Sequence, residues 1–395
     1  MKLIFIFLSL FIIELKAQSN ENSCGETCQW FYDNSTNELK IQGSGEMNNF
    51  TESNQPWKQY RNEIKTILIK PKVSTIGSYA FWNLPNVVSI EIHPDIISIG
   101  NKAFALCSKL VDITLPSSLK SIGYSAFSDC SQLKSISIPS QIELLGDCVF
   151  CYCSSLNQVY FEEGIKSIPQ FAFKDCFKLE TIRLPETILS IGQSSFENCR
   201  SLETISIPKY IRKIKQSTFN GCHSLKNITF SNSLKTIEKY AFTSCSSLEY
   251  LKFNKNISTI EDYAFYNDES LFEIHIPETM ERIGEFAFAE CTNLTNVYFS
   301  GRVSPNCSMN VFDNTTVNAV FVNIHYKNET FCEMEIEYIH EDHSIKKAVG
   351  LVLLLIIFFF CLVMIFVVIT FTILKMKTVP LNTVSSINSG VYSSF

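Results

Sequence analysis

Apolar and polar positions recur along this chain with a period of 23 residues. Phenylalanine stands at 81, 104, 127, 150, 173, 196, 219, 242, 265 and 288, and again at 312 after a step of 24. Five residues before each of the first ten lies an aliphatic: Ile76, Ile99, Ile122, Leu145, Ile168, Ile191, Ile214, Ile237, Ile260 and Ile283. Six residues after each lies another, from Val87 and Leu110 to Leu271 and Leu294. In the unit Leu110-Val111-Asp112-Ile113-Thr114-Leu115-Pro116, Ile113 and Leu115 are two apart. As a strand, this segment turns them to one face and Asp112 and Thr114 to the other. Pro116 has no N–H to donate and ends the strand. Leu119, Ile122, Gly123, Ala126, Phe127 and Cys130 then carry the chain back, with Gly123 expected to permit a tight turn. One strand and one return arc cannot bury their own apolar edge, so the units must stack in parallel as a solenoid.

These residues resemble the leucine-rich repeats of BspA-like surface proteins, whose unit reads roughly LxxIxIPxxIxxIGxxAFxxCxx. Leu133-Lys134-Ser135-Ile136-Ser137-Ile138-Pro139 and Ile122-Gly123-Tyr124-Ser125-Ala126-Phe127-Ser128-Asp129-Cys130 match it closely, and the likeness covers about residues 60–300. Cys24-Gly25, Trp30-Phe31-Tyr32, Leu39 to Met47 and Pro56-Trp57 look like the family's N-terminal cap. Phe161-Glu162, Phe230-Ser231 and Phe253-Asn254 lack the strand-ending Pro, and Ser195 and Thr218 replace Ala, which suggests looser rungs. The fold expected is an α/β-type repeat solenoid, a leucine-rich repeat with a parallel β-sheet on one face and irregular or short helical return arcs. It should have about 10–11 rungs, capped at both ends. The resemblance also implies a microbial surface antigen or adhesin.

The two ends of the chain break the period. Leu3 to Ile13 is apolar but for Ser9, and Ala17-Gln18-Ser19 offers small residues at a cleavage site, the layout of a signal peptide. Ala348 to Leu374 holds 27 residues without a charge. As a helix it would reach about 40 Å, against a hydrocarbon core of about 30 Å. Lys346 and Lys347 on one side nearly balance Lys375 and Lys377 on the other, so the signal peptide sets the orientation. The expected organisation is signal peptide 1–19, N-terminal cap 20–58, leucine-rich repeats 59–300, C-terminal cap and juxtamembrane stalk 301–347, transmembrane helix 348–374 and cytoplasmic tail 375–395. This describes a single-pass type I plasma-membrane protein with an extracellular ectodomain. Eight N-x-[ST] sequons, at Asn34, Asn49, Asn227, Asn256, Asn293, Asn306, Asn314 and Asn328, fall in the expected exterior and none in the tail.

Composition adds two oddities to this picture, 32 Phe and 15 Cys in 395 residues. Eleven Phe belong to the repeat. Eight Cys (107, 130, 153, 176, 199, 222, 245 and 291) fall three residues after a repeat Phe, and Asp268 takes that position in one unit. Zinc sites want several ligands at short spacing. The ladder position instead suggests a small buried hydrophobe, although neighbouring rungs lie within disulfide reach. Cys24 with Cys28 and Cys307 with Cys332 are disulfide candidates in the caps, and Cys148 and Cys151 could pair or stay reduced. Trp30, Tyr32, Leu39 and Ile41 alternate about the turn-rich 33–37 as a hairpin over the first rung, and Val311, Phe312, Val320, Val322 and Phe331 could cover the last.

No cofactor is expected and no enzyme motif is present. His340-Glu341-Asp342-His343 reads as a solvated stalk, and His223 as an ordinary surface residue. A net charge of −6 argues against a nucleic-acid partner. The informative surface is the outward strand face, mostly Ser and Thr, interrupted by Tyr160, Arg183, Tyr250, Lys252, His275 and Tyr298. Tyr and Arg are typical interface anchors, so the expected partners are extracellular proteins or glycans. The tail ends Tyr392-Ser393-Ser394-Phe395, which resembles a tyrosine-based sorting signal for an endocytic adaptor. The readings left open are an adhesin or surface antigen, an endocytic or signalling receptor, and a structural coat.

Overall fold

The computed structural model describes residues 22–339. Among them no helix is long and apolar enough to cross a membrane. The apolar run 348–374, the signal peptide 1–19, the 340–343 cluster and the Tyr392–Phe395 motif all lie outside the described residues.

The described chain is a right-through stack of about eleven parallel turns. First strands run from Thr66–Ile69 and Ser89–Ile92 through Ser135–Ile138 and Gln158–Phe161 to Asn296–Phe299 and Ala319–Asn323. Most pair in parallel with the homologous segment 23 residues away, as in Tyr160↔Ser137 and Ile274↔Val297. A second, shorter strand recurs in most turns, for example Ser98–Ile99, Ser121–Ile122 and Leu144–Leu145, and these also stack in parallel. A turn therefore has two strand segments where one was expected. The unit 110–116 keeps Ile113 and Leu115 buried but closes no strand ladder.

The expectation of helical return arcs is corrected. The one helix among the described residues is the 3-10 turn Lys58–Tyr60, before the first full rung. Two residues per arc, at two before and two after the repeat Phe, hold positive φ, as at Tyr79 (57°), Asn83 (55°), Ser125 (50°) and Asp129 (59°). That conformation interrupts a right-handed helix. It also frees backbone N–H groups for the next turn: Tyr79, Phe81 and Asn83 donate to the carbonyls of Asn101, Ala103 and Ala105, each at 2.8 Å. Gly123 has a different cause from the one expected. Its φ is not positive; a Cβ there would collide with the backbone of Gly100 and Asn101 in the preceding turn.

The core is a column of aromatic rings. Phe81 to Phe288 are each fully buried and stack ring on ring, with centroids 5.1–5.7 Å apart. Trp57 begins the column, 5.5 Å from Phe81, and Phe312 continues it 5.8 Å beyond Phe288. Because every arc donates N–H groups forward, the first full rung leaves its carbonyls facing the N-terminal cap. Phe50 N donates to Ser78 O (2.8 Å), Gln55 Nε2 to Tyr79 O (3.1 Å) and Trp57 Nε1 to Ala80 O (2.9 Å). The cap thus closes an apolar face and a row of acceptors together. Over it sits the antiparallel hairpin of Cys28–Asp33 and Glu38–Gly43. At the other end Glu335–Ile339 adds a parallel edge strand with outward Glu335 and Glu337, charges that discourage further edge pairing.

Candidate functional site: the outward face of the first strands

On each first strand the inward residues, such as Val159 and Ile182, are buried among the column, which leaves the alternate residues in solvent. In-register stacking turns these into rows: Gln158↔Thr181↔Thr204↔Asn227 in one, and Lys252↔His275↔Tyr298↔Phe321 in another. The six residues singled out in the sequence fall into two groups on this face.

Tyr160 and Arg183 flank a depression of about 200 Å³ that is also lined by Gln158, Thr181 and Thr204, with Val159 and Ile182 at its floor. The Tyr160 hydroxyl donates to Gln158 Oε1 at 2.6 Å, which fixes the ring, and the ring is 56% exposed. Among the described residues Arg183 has no carboxylate at ion-pair distance. An exposed ring, a free guanidinium and hydroxyls over an apolar floor can hold a planar or pyranose group with a polar or acidic substituent.

The second group is a row of rings. Tyr250 meets His275 edge-on at 5.7 Å, His275 stacks on Tyr298 at 4.7 Å, and Tyr298 stacks on Phe321 at 5.1 Å. His275 Nε2 lies 2.7 Å from Glu273 Oε1, and Lys252 stands in register beside His275. Phe321 extends this face beyond the residues singled out in the sequence, into the C-terminal cap segment 301–347. The step of 23 from Tyr298 was the available signal. Between the two groups lie Thr204, Ser206, Asn227 and Thr229. All eight sequon asparagines are exposed, Asn227 among them.

The cysteines divide by position. Cys24–Cys28 and Cys307–Cys332 are disulfides, with Cα atoms 5.0 Å and 5.3 Å apart, and Cys148–Cys151 is a third at 4.9 Å. The eight ladder cysteines are free and buried. Each thiol donates to the carbonyl of the repeat Phe one turn back, as Cys130 Sγ to Phe104 O (3.3 Å) and Cys153 Sγ to Phe127 O (3.1 Å). Burial pushes the Cys107 thiol up to about 12, so its reactive thiolate form is scarce at neutral pH. Asp268 accepts from Cys245 N at 2.8 Å through Oδ1, while Oδ2 has no partner. Complete burial raises its carboxyl well above the usual carboxylate range.

A profile of the BspA type leucine rich repeat region matches residues 74–203 and 189–318 in six copies. The chain belongs to the BspA-type leucine-rich repeat family. Repeats of this type form scaffolds, and here the scaffold presents the two groups of side chains on one strand face. Among solved structures, the BspA-type chain is similar to a leucine rich cell surface protein from Faecalibacterium prausnitzii A2-165, with 22% identity, 71% of this chain and 94% of that one covered, and a TM-score of 0.41. It is similar also to a leucine-rich repeat protein from Eubacterium ventriosum, with 20% identity, 80% and 83% covered, and a TM-score of 0.45. The pneumococcal vaccine antigen PcpA is 17% identical, with 81% and 93% covered and a TM-score of 0.46. No curated protein matches the chain.

Proposed function

We propose that this BspA-type protein is a cell-surface adhesin or surface antigen that binds an extracellular protein or glycan through the outward face of its first strands. The observation that carries this reading is the depression between Tyr160 and Arg183, the concave polar-and-aromatic feature on an otherwise Ser- and Thr-rich face. The ring row of Tyr250, His275, Tyr298 and Phe321 supplies a second, flatter contact area. Family membership supports a surface location, and the uncharged run 348–374 after a leader-like 1–19 supports a single membrane anchor with the repeats outside. A glycan on Asn227 would stand between the two areas and restrict a ligand to one of them. The test compares cells displaying the full-length chain with cells displaying a Tyr160→Ala/Arg183→Ala form at equal surface density. Adhesion to host cells or matrix should fall at least about tenfold, the loss of roughly 1.4 kcal/mol or more that two interface anchors carry. Equal adhesion by both forms sinks the strand-face reading.

A further inference from the structure

The turn spanning 208–230 carries Lys209, Arg212, Lys213, Lys215 and Lys226 and no Asp or Glu, in a chain of net charge −6. In several other turns the solenoid sets opposite charges one turn apart. Lys174 meets Glu197 at 3.0 Å, Lys239 meets Asp262 at 2.7 Å, and Lys120 meets Glu143 at 4.0 Å. The Lys239 ammonium holds the Asp262 carboxyl below the usual carboxylate range. Within the basic turn, Lys213 and Lys226 follow the same rule with Glu238 (3.5 Å) and Glu203 (3.8 Å).

Arg212 and Lys235 break it. They hold the same position in adjacent turns, just ahead of the second strands Lys213–Ile214 and Thr236–Ile237, and Lys235 N donates to Arg212 O at 2.8 Å. Two exposed cations therefore emerge side by side, at a strand spacing of about 4.8 Å. Exposed Lys166 holds the same position two turns earlier, and exposed Lys215 lies three residues beyond Arg212. Among the described residues none of the four has a carboxylate at ion-pair distance. Like charges opposed across strands repel, so the protein holds two cations one strand spacing apart where other turns, as at Lys174 and Glu197, set opposite charges.

We propose that this strip, apart from the strand face and independent of its function, binds a sulfated polysaccharide. A linear chain with recurrent sulfates can lie along the stacking direction and neutralise Lys166, Arg212, Lys215 and Lys235 together, releasing counterions. Half-buried Ser190 and Thr236 on the neighbouring second strands offer hydroxyls to sulfate oxygens. Single-stranded nucleic acid is the poorer fit, because it needs free aromatic faces for its bases. The nearby exposed ring, Tyr210, already carries Lys209 over its face at 4.8 Å.

The test is salt-dependent binding of the full-length chain, in detergent micelles, to heparin. Arg212→Gln/Lys235→Gln should weaken Kd by about tenfold or more and lower the slope of log Kd against log salt by roughly two. Lys58→Gln, an exposed cation in the N-terminal cap, should leave both unchanged. Should the double variant melt below wild type, Lys166→Gln/Lys215→Gln gives the same readout from the flanking cations. Unchanged binding by both double variants overturns the proposal. So does equal binding of heparin and fully desulfated heparin, or tighter binding of nucleic acid than of heparin at equal charge.

Discussion

Asp268 occupies a position where the other ladder residues donate a thiol hydrogen to a phenylalanine carbonyl. An ionised carboxylate can only accept there, and complete burial with one partnerless oxygen raises its pKa. A carboxyl whose folded pKa stands above its unfolded value of about 3.9 contributes its full stability below that pH. It loses that stability as pH rises toward the folded value. Asp268→Cys should therefore stabilise the protein by about 1–3 kcal/mol at neutral pH. Its advantage should shrink on titration to about pH 4, read from denaturant midpoints at the two pH values. A constant advantage would place the benefit in packing. Ser195 is the milder case: its buried hydroxyl has no partner where most turns have Ala, and Ser195→Ala should raise the midpoint by about 1 kcal/mol. Both departures were visible in the alignment of repeats, but the unpaired atoms were not, because pairing depends on the turn in front.

At the scale of elements, the Phe step announced the column, and the column sets the cost of breaking it. Trp57 is its first ring and also donates to Ala80 O, so Trp57→Ala removes packing and leaves an acceptor bare. A loss of about 3–5 kcal/mol is expected. Proteolysis should then begin in the N-terminal cap ahead of the central turns, since a solenoid frays from its ends. Protection of the cap equal to wild type would show that the hairpin and its Cys24–Cys28 bond suffice. The arcs are where sequence reading erred. Asn83, Asp129, Asp175, Asn198, Gly221 and Asn267 stand two residues after the Phe, residue types that accept positive φ, and they marked turns where short helices were allowed. The second strands went unread because two residues of pairing leave no alternation to detect.

For the whole molecule, 348–374 and Tyr392–Phe395 bear on how the solenoid is displayed and removed. If the tail string serves an endocytic adaptor, Tyr392→Ala should slow internalisation of surface-labelled protein several-fold without altering adhesion, and equal uptake rates would leave the adhesin reading alone. Repeat length, parallel stacking, the buried Phe and Cys ladders and the alternation of strand residues were all determined by the sequence, since each is a one-dimensional register that any parallel stack must preserve. What only the tertiary structure decided depends on neighbours 23 residues away. It directed N–H groups forward into the next arc and so required a cap of donors. It joined Tyr160 to Arg183 around one depression and added Phe321 to the ring row. It also left Arg212 beside Lys235 without an acid, a local excess that the net charge of −6 conceals, because charge sums over the chain while an ion pair forms only across a few ångströms.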